Sequence, residues 1–185
     1  MKGQTNTIQA ASEVLRSGGV IAYPTESCFG LGCDPMKAAS VEAIIQLKAR
    51  SANKGLILVA SSVEQASHYV DINVSPMVKD IHASWPGPNT WLLPPKPSVI
   101  DGLRGAFPLL AIRVTAHPIA NAICESFGGA IVSTSANLAG QPALLTADSV
   151  KEAFGEKIHI VEGSIGDDVK PSTIRDGLTG QILRQ

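Results

Sequence analysis

Residues 109–137, LLAIRVTAHPIANAICESFGGAIVSTSAN, decide the fold. Leu109-Leu110-Ala111-Ile112-Arg113-Val114 is an apolar run of strand length. Pro118 suits a first helical position, and Ile119, Ile123 and Phe127 then fall on one helical stripe. Ala130-Ile131-Val132 returns to strand character. Strand, helix and strand in direct succession point to a mixed α/β architecture rather than to helices or strands alone.

The alternation continues in both directions. Toward the N-terminus, Ile8, Ala11, Val14 and Leu15 recur at helical spacing until Gly18-Gly19, and Val20-Ile21-Ala22-Tyr23 reads as a buried strand ending at Pro24. Val41, Ile44, Ile45 and Lys48 restore the helical period, Leu56–Val59 reads as a strand, and Ser62 with Gln65 has the spacing of a capping box. Five of the twelve prolines lie between Pro86 and Pro97 and flank Asn89–Leu93, which predicts an edge strand there. Beyond the central stretch the pattern predicts a helix over 147–154 and strands over 158–161, 172–175 and 181–184. The expected fold is a single α/β domain spanning 1–185, a twisted mixed sheet flanked by helices.

Composition narrows the function. With 185 residues, 44% hydrophobic and 17% charged, the chain has enough apolar content for a core, which excludes a disordered protein. Fifteen Lys+Arg against sixteen Asp+Glu give a net charge of -1, and only 4% of residues are aromatic. That balance argues against a general nucleic-acid coat and leaves room for a local basic cleft. No apolar run approaches the ~18 residues of a membrane span, and MKGQTNTIQAASEVL lacks the apolar stretch of a signal peptide. Cys28, Cys33 and Cys124 form no CxxC pair, so a cytoplasmic protein is expected. There is no GxxxxGK[ST], no complete GxGxxG and no GxSxG, and the four histidines are scattered, so no metal site is expected.

Five stretches could carry chemistry. Lys48-Ala49-Arg50-Ser51-Ala52-Asn53-Lys54 holds three cations; an extended exit from the helix would put Lys48 and Arg50 on one face, where they could share an anion, whereas helix-end cations facing solvent are the plainer explanation. Ser133, Ser135 and Asn137 alternate directly after a buried strand, where α/β sheets gather ligands, although Ser and Asn also make ordinary turns. Thr25 and Glu26 follow another buried strand and could meet a small polar ligand or simply form a proline loop. Arg113 within an apolar strand needs an anionic partner, from the protein or from a substrate. Pro171-Ser172-Thr173-Ile174-Arg175-Asp176 reads most simply as a turn with a surface ion pair.

Taken together, Tyr-Pro-Thr-Glu at 23–26, Lys-x-Arg at 48–50, Trp-Pro-Gly-Pro-x-Thr at 85–90, Arg113, Ser-x-Ser-Ala-Asn at 133–137 and Pro-Ser-Thr-Ile at 171–174 resemble the YrdC/TsaC family in order and over nearly the whole chain. The resemblance implies a YrdC-like fold with a concave, positively lined cavity. It implies a threonylcarbamoyl-AMP synthase that uses L-threonine, bicarbonate or CO₂, and ATP, and releases pyrophosphate. The product would feed threonylcarbamoyladenosine synthesis at position 37 of tRNAs reading ANN codons, with TsaD-, TsaB- and TsaE-like proteins acting downstream. It further implies Lys48 and Arg50 as catalytic residues, Thr25, Arg113 and Ser133 at L-threonine, and Lys54, Ser135, Asn137, Ser172 and Arg175 at ATP, with magnesium (Mg2+) accompanying the nucleotide. Ser51, Gly55, Thr115 and Ala139 depart from the usual family pattern; none of these changes removes a charged group. The alternatives are a double-stranded RNA- or tRNA-binding or ribosome-maturation module using the same basic cavity, and a carbamoyl-adenylate transferase resembling the domain found in HypF.

Overall fold

Apolar alternation along the strands decides which way each side chain faces, and the computed structural model describes the result for residues 2–167 and 170–185. Among the described residues the helices are α1 (Lys2–Ser17), α2 (Ala38–Leu47), α3 (Val63–Ser67), α4 (Val78–Ser84), α5 (Pro118–Phe127) and α6 (Ala147–Phe154). The strands are β1 (Ile21–Pro24), β2 (Phe29–Gly32), β3 (Ile57–Ala60), β4 (Asn89–Leu93), β5 (Leu110–Val114), β6 (Ile131–Ser135), β7 (His159–Ile160), β8 (Thr173–Asp176) and β9 (Ile182–Arg184). They form one sheet in the order β7-β1-β2-β6-β3-β5-β4-β8-β9. The pairs β1/β7, β3/β5 and β4/β8 are parallel and the other five are antiparallel, so the sheet is mixed.

Period-two alternation then builds two different faces. Ala22, Leu31, Leu58, Trp91, Ile112 and Val132 point to one side, where they pack with Val41 and Ile44 of α2, Ala66 of α3, Ile81 of α4 and Val150 and Phe154 of α6. Ile21, Tyr23, Val59 and Ile131 point to the other side and meet Ala11 and Leu15 of α1 and Ile119 and Ile123 of α5. Only part of this second face is covered by those two helices. Over its uncovered part lies a cavity of about 630 Å³, with Gly30, Ile57, Leu92, Ala111 and Ile174 among the strand residues of its floor.

The structure changes two of the expectations about strands. Residues 89–93 do form a strand, but it is interior, hydrogen-bonded to both β5 and β8. The prolines lie outside the paired residues, so both edges of β4 keep their donors. Phe29–Gly32, in which glycines mask the strand signal, pairs with β1 and β6 and was not expected from the pattern. At α3 the Ser62 hydroxyl accepts from the Gln65 amide at 3.2 Å, while the Gln65 side chain accepts from the Ser61 rather than the Ser62 amide.

Helices α1 and α2 end in the same way with different residues. In α1, Gly18 is left-handed (φ 90°), its N–H bonds to Leu15 O and that of Gly19 bonds to Val14 O. In α2 the left-handed position is Ala49 (φ 48°), with Ala49 N–H to Gln46 O and Arg50 N–H to Ile45 O. This is the two-bond arrangement that favours glycine, because an L-residue there brings Cβ against a carbonyl oxygen. Ala49 is exposed and loses no packing on truncation. Ala49→Gly is expected to stabilise the protein by about 0.5–1 kcal/mol, relief of the left-handed strain outweighing the extra freedom glycine gains when unfolded. A denaturant titration comparing midpoints at unchanged slope checks this.

Candidate functional site

The cavity is lined by residues that the chain brings from both sheet halves and from five connecting segments. Four guanidinium groups contribute, Arg50, Arg104, Arg113 and Arg184, and among the described residues no Asp or Glu lines the wall. Thr25, Ser133, Ser135, Asn137 and Ser172 supply neutral polar groups, and Phe107, Leu145 and Leu183 form a half-exposed apolar rim. Among the described residues Arg104 pairs with Asp101 and Arg113 with Glu26, which leaves Arg50 and Arg184 as the lining guanidiniums without a carboxylate partner.

Arg113 and Glu26 are both buried and form an ion pair, Nη1 to Oε2, at 2.8 Å. The Thr115 hydroxyl donates to the other Glu26 oxygen at 2.6 Å and itself accepts from the His117 amide at 3.1 Å. Thr115, one of the positions that depart from the family pattern, thus takes part in the network through its hydroxyl. His117 caps α5 through Nδ1 and has Nε2 3.1 Å from Ser164 O, so one ring ties the helix to the segment after β7. Burial by itself would push the Glu26 carboxyl up, but the Arg113 charge and the Thr115 hydrogen bond outweigh it and hold the carboxyl below its ordinary value.

Ser133 and Ser135 belong to β6 itself rather than to a loop after it, opposite Ile57 and Gly30 respectively. Thr25 donates its hydroxyl to Cys28 O at 2.8 Å, which leaves its oxygen lone pairs and its methyl group for other contacts. Ser172 lies 2.8 Å from the Thr90 hydroxyl and accepts through its carbonyl from Arg184 at 2.8 Å.

Lys48 and Arg50 do not share a face as the extended reading supposed. The left-handed turn at Ala49 sends them apart: Arg50 lines the cavity, with Nη2 donating to Gly55 O at 2.7 Å, while Lys48 is buried behind the loop that follows β6. There the Lys48 ammonium donates to Ser135 O, to Asn137 O at 2.9 Å and to Asn137 Oδ1 at 2.9 Å. Burial first, and then the charge of Arg50, pull the Lys48 ammonium down to about 8. Asn137 Oδ1 also accepts from the Ser135 hydroxyl at 2.7 Å, and its amide donates to Gln141 O at 2.6 Å.

Two further expected residues, Lys54 and Arg175, are not among those lining the cavity. Lys54 is exposed and bridges to Gly105 instead of lining the cavity. Arg175 pairs with Trp91 in register and its guanidinium lies 5.9 Å from that ring, on the face opposite Ile174 and the cavity, because strand alternation puts neighbours on opposite sides. The arginine at this corner of the cavity is Arg184, which the motif reading missed together with Arg104. Strand periodicity through Ile182-Leu183-Arg184 could not reveal Arg184, since the bulge between Ile174 and Arg175 shifts the register.

Comparison with known proteins gives a consistent family. The Sua5/YciO/YrdC family model, described as "Telomere recombination", matches residues 13–185. A threonylcarbamoyl-AMP synthase of Methylococcus capsulatus is 47% identical over 178 residues, 96% of each chain. One from Escherichia coli K12 is 44% identical over 184 residues, covering 98% of this chain and 97% of the relative. The solved structure of P. abyssi Sua5 complexed with L-threonine superposes with a TM-score of 0.85 at 32% identity over 91% of this chain, which spans half of that longer one.

The Glu26–Arg113 pair makes stability depend on pH with a definite sign. A carboxyl whose folded pKa lies below its unfolded value contributes stability above about pH 4.5 and loses it as pH falls through the folded value. Glu26→Gln is expected to lower stability by about 3 kcal/mol at pH 7, since it leaves Arg113 buried and unpaired, and to flatten the fall in stability below pH 4.5. Thermal melts of both proteins between pH 3 and 7 check both parts.

Proposed function

The chain belongs to the Sua5/YrdC family, and from that premise we propose that it is a threonylcarbamoyl-AMP synthase whose reaction takes place in the cavity over the uncovered sheet face. The observation that carries this reading is the collection of four guanidiniums without a lining carboxylate, since the reaction must gather a carboxylate, a carbamate and a triphosphate in one place.

The chemistry needs two bond-forming steps. The threonine amine attacks the carbon of bicarbonate or CO₂ to give a carbamate, with water leaving in the case of bicarbonate. A carbamate oxygen then attacks the α-phosphorus of ATP, the bond to the bridging oxygen breaks, and pyrophosphate leaves. Arg113, already oriented by Glu26, offers its remaining donors to the threonine carboxylate, and Thr25 and Ser133 flank the amino acid. Arg50 and Arg184 bind the polyphosphate and stabilise charge on the departing pyrophosphate, with Ser135 and Ser172 as hydrogen-bonding neighbours. Lys48 acts through Asn137 by holding the loop after β6, so it is a positioning residue. The apolar rim of Phe107, Leu145 and Leu183 suits the nucleobase. Lys54 and Arg175 are not among the lining residues and are given secondary roles here.

No group of three or more His, Cys, Asp or Glu that could hold a metal occurs among the described residues, and the cavity wall offers guanidiniums and hydroxyls. Those donors do not fit a resident divalent cation, so magnesium enters as part of the ATP substrate. No described helix is long and apolar enough to cross a membrane. We assign the work to the cytoplasm, with the adenylate passed to TsaD-, TsaB- and TsaE-like proteins for tRNA modification, and with any RNA binding weak.

Purified protein should release pyrophosphate from ATP only when both L-threonine and bicarbonate are present, with the adenylate seen by mass spectrometry; release without threonine, or none at all, sinks the reading. Arg50→Ala and Arg184→Ala should each lower kcat/KM by about 10- to 100-fold, as expected for one lost charged hydrogen bond. Arg175→Ala should affect the KM for ATP less than Arg184→Ala does.

A further inference from the structure

Of the four guanidiniums on the cavity wall, Arg104 is the one without a role in the two bond-forming steps, and its ion pair is unlike that of Arg113. Glu26 is buried beside Arg113 and held on its other oxygen by Thr115, so separating that pair would strand a buried charge. The Asp101 side chain is 89% exposed and meets Arg104 through a single oxygen. An exposed pair of this kind contributes little, because water and salt screen it, so Asp101 can be exchanged for another anion easily. The rest of the Arg104 guanidinium is poorly used. Its Nη1 reaches only Phe107 O, at 3.4 Å, and its Nε is buried with no partner.

The backbone beneath this side chain is fixed. Leu56 N–H donates to Leu103 O at 2.8 Å and Ala106 N–H to Asn53 O at 3.1 Å, which stitches the segment around Arg104 to the one that follows Arg50. Gly105 is left-handed (φ 60°), and a Cβ there would stand 2.5 Å from Asn53 O, so glycine lets the two segments close. The carbonyl of Gly55, in the second segment, anchors Arg50. Arg50 and Arg104 therefore stand at one corner of the cavity, and the Arg50 Nε is likewise buried and unpartnered. Arg113 lies opposite Val59, well inside β3, whereas this corner precedes the first residue of that strand.

We propose that Arg104 forms with Arg50 a subsite for the terminal phosphates of ATP, and that its guanidinium exchanges between those phosphates and Asp101. The proposal rests on the synthase reading for the identity of the anion: two guanidiniums in one corner suit the most highly charged part of ATP, the part that leaves as pyrophosphate. Asp101 then has a task of its own. It yields Arg104 to the phosphates when ATP binds, and after the transfer it competes with pyrophosphate for the same donors, which shortens the stay of that product. The single phosphate of AMP stays at the reacting end and does not engage Arg104.

The test is calorimetric binding of inorganic pyrophosphate and of AMP, without turnover, to wild type, Asp101→Asn, Arg104→Gln and the double variant at one salt concentration. Asp101→Asn is expected to tighten pyrophosphate binding by about 1.5- to 5-fold, the range to which a surface ion pair converts. Arg104→Gln should weaken it by about 10- to 100-fold, Arg104→Lys should recover part of the loss, and Asp101→Asn added to Arg104→Gln should change nothing further. AMP affinity should stay within about twofold across the set. Pyrophosphate binding that ignores Asp101→Asn, or that tightens equally with and without Arg104, overturns the proposal. So does AMP affinity that falls as far as that of pyrophosphate when Arg104 is removed, or a thermal melt showing that both Arg104 variants fail to fold, which would make the residue structural. Wild type is assayed in parallel for pyrophosphate release from ATP, L-threonine and bicarbonate. No release with the binding pattern intact overturns the synthase reading and leaves a polyphosphate subsite standing; release with the pattern absent overturns the subsite alone.

Discussion

Strand β6 is paired on both sides, antiparallel to β2 and to β3, and the register of that double pairing is the constraint on which the rest depends. It sends Val132 into the core beneath α2 and α6 and turns Ser133 and Ser135 toward the cavity. A slip by one residue would exchange these faces, burying two hydroxyls among aliphatic side chains and exposing Val132. Each hydroxyl left buried without a partner costs about 1–3 kcal/mol, so the polar row of the site is itself part of what specifies the sheet.

The same face explains how four guanidiniums come to line one cavity in a chain of net charge -1. Helices α1 and α5 cover the half of the face built from β1, β6 and their neighbours, where Ile21, Tyr23, Val59 and Ile131 demand it. The other half carries Gly30, Ala111, Arg113 and Ile174, too polar and too small in places to require a covering helix. Arginine suits such a half-dry wall better than lysine, because its guanidinium is weakly hydrated and presents donors in a fixed fork. Glu26 completes the arrangement from below the surface: it neutralises the most buried of the four cations while leaving the cavity wall itself free of carboxylates.

Much of this was legible in the chain, for physical reasons that can be named. The alternation of Ser133, Ser135 and Asn137 after Ile131 and Val132 survives folding because strand periodicity is local. The helix start at Pro118, and the stop at Gly18-Gly19, are equally local. What failed depended on distant partners. Glycines at 30 and 32 conceal a strand whose ladder is made with β1 and β6, and the prolines around Asn89–Leu93 suggest an edge although β8, more than eighty residues on, covers it. Arg175 looked like a site residue because its motif touches the cavity at Ser172 and Ile174, but the pleat carries it to the opposite face, onto Trp91.

Lys48-Ala49-Arg50 shows how a single backbone conformation can redistribute charge. In an extended segment the two cations would project together and compete for the same anion. With Ala49 left-handed, the chain closes α2 by hydrogen bonds to Gln46 O and Ile45 O, and the side chains before and after the turn diverge. Lys48 then spends its donors on Ser135 O and on Asn137, and its own carbonyl accepts from the Ala139 amide, so α2 and the loop after β6 are bound at both ends of one residue. Arg50 is left to face the cavity. Two cations that attract the same ligand in a linear reading thus become a pair with separate tasks, one shaping the wall and the other forming part of it, and the anion-binding power of the site falls to its guanidiniums.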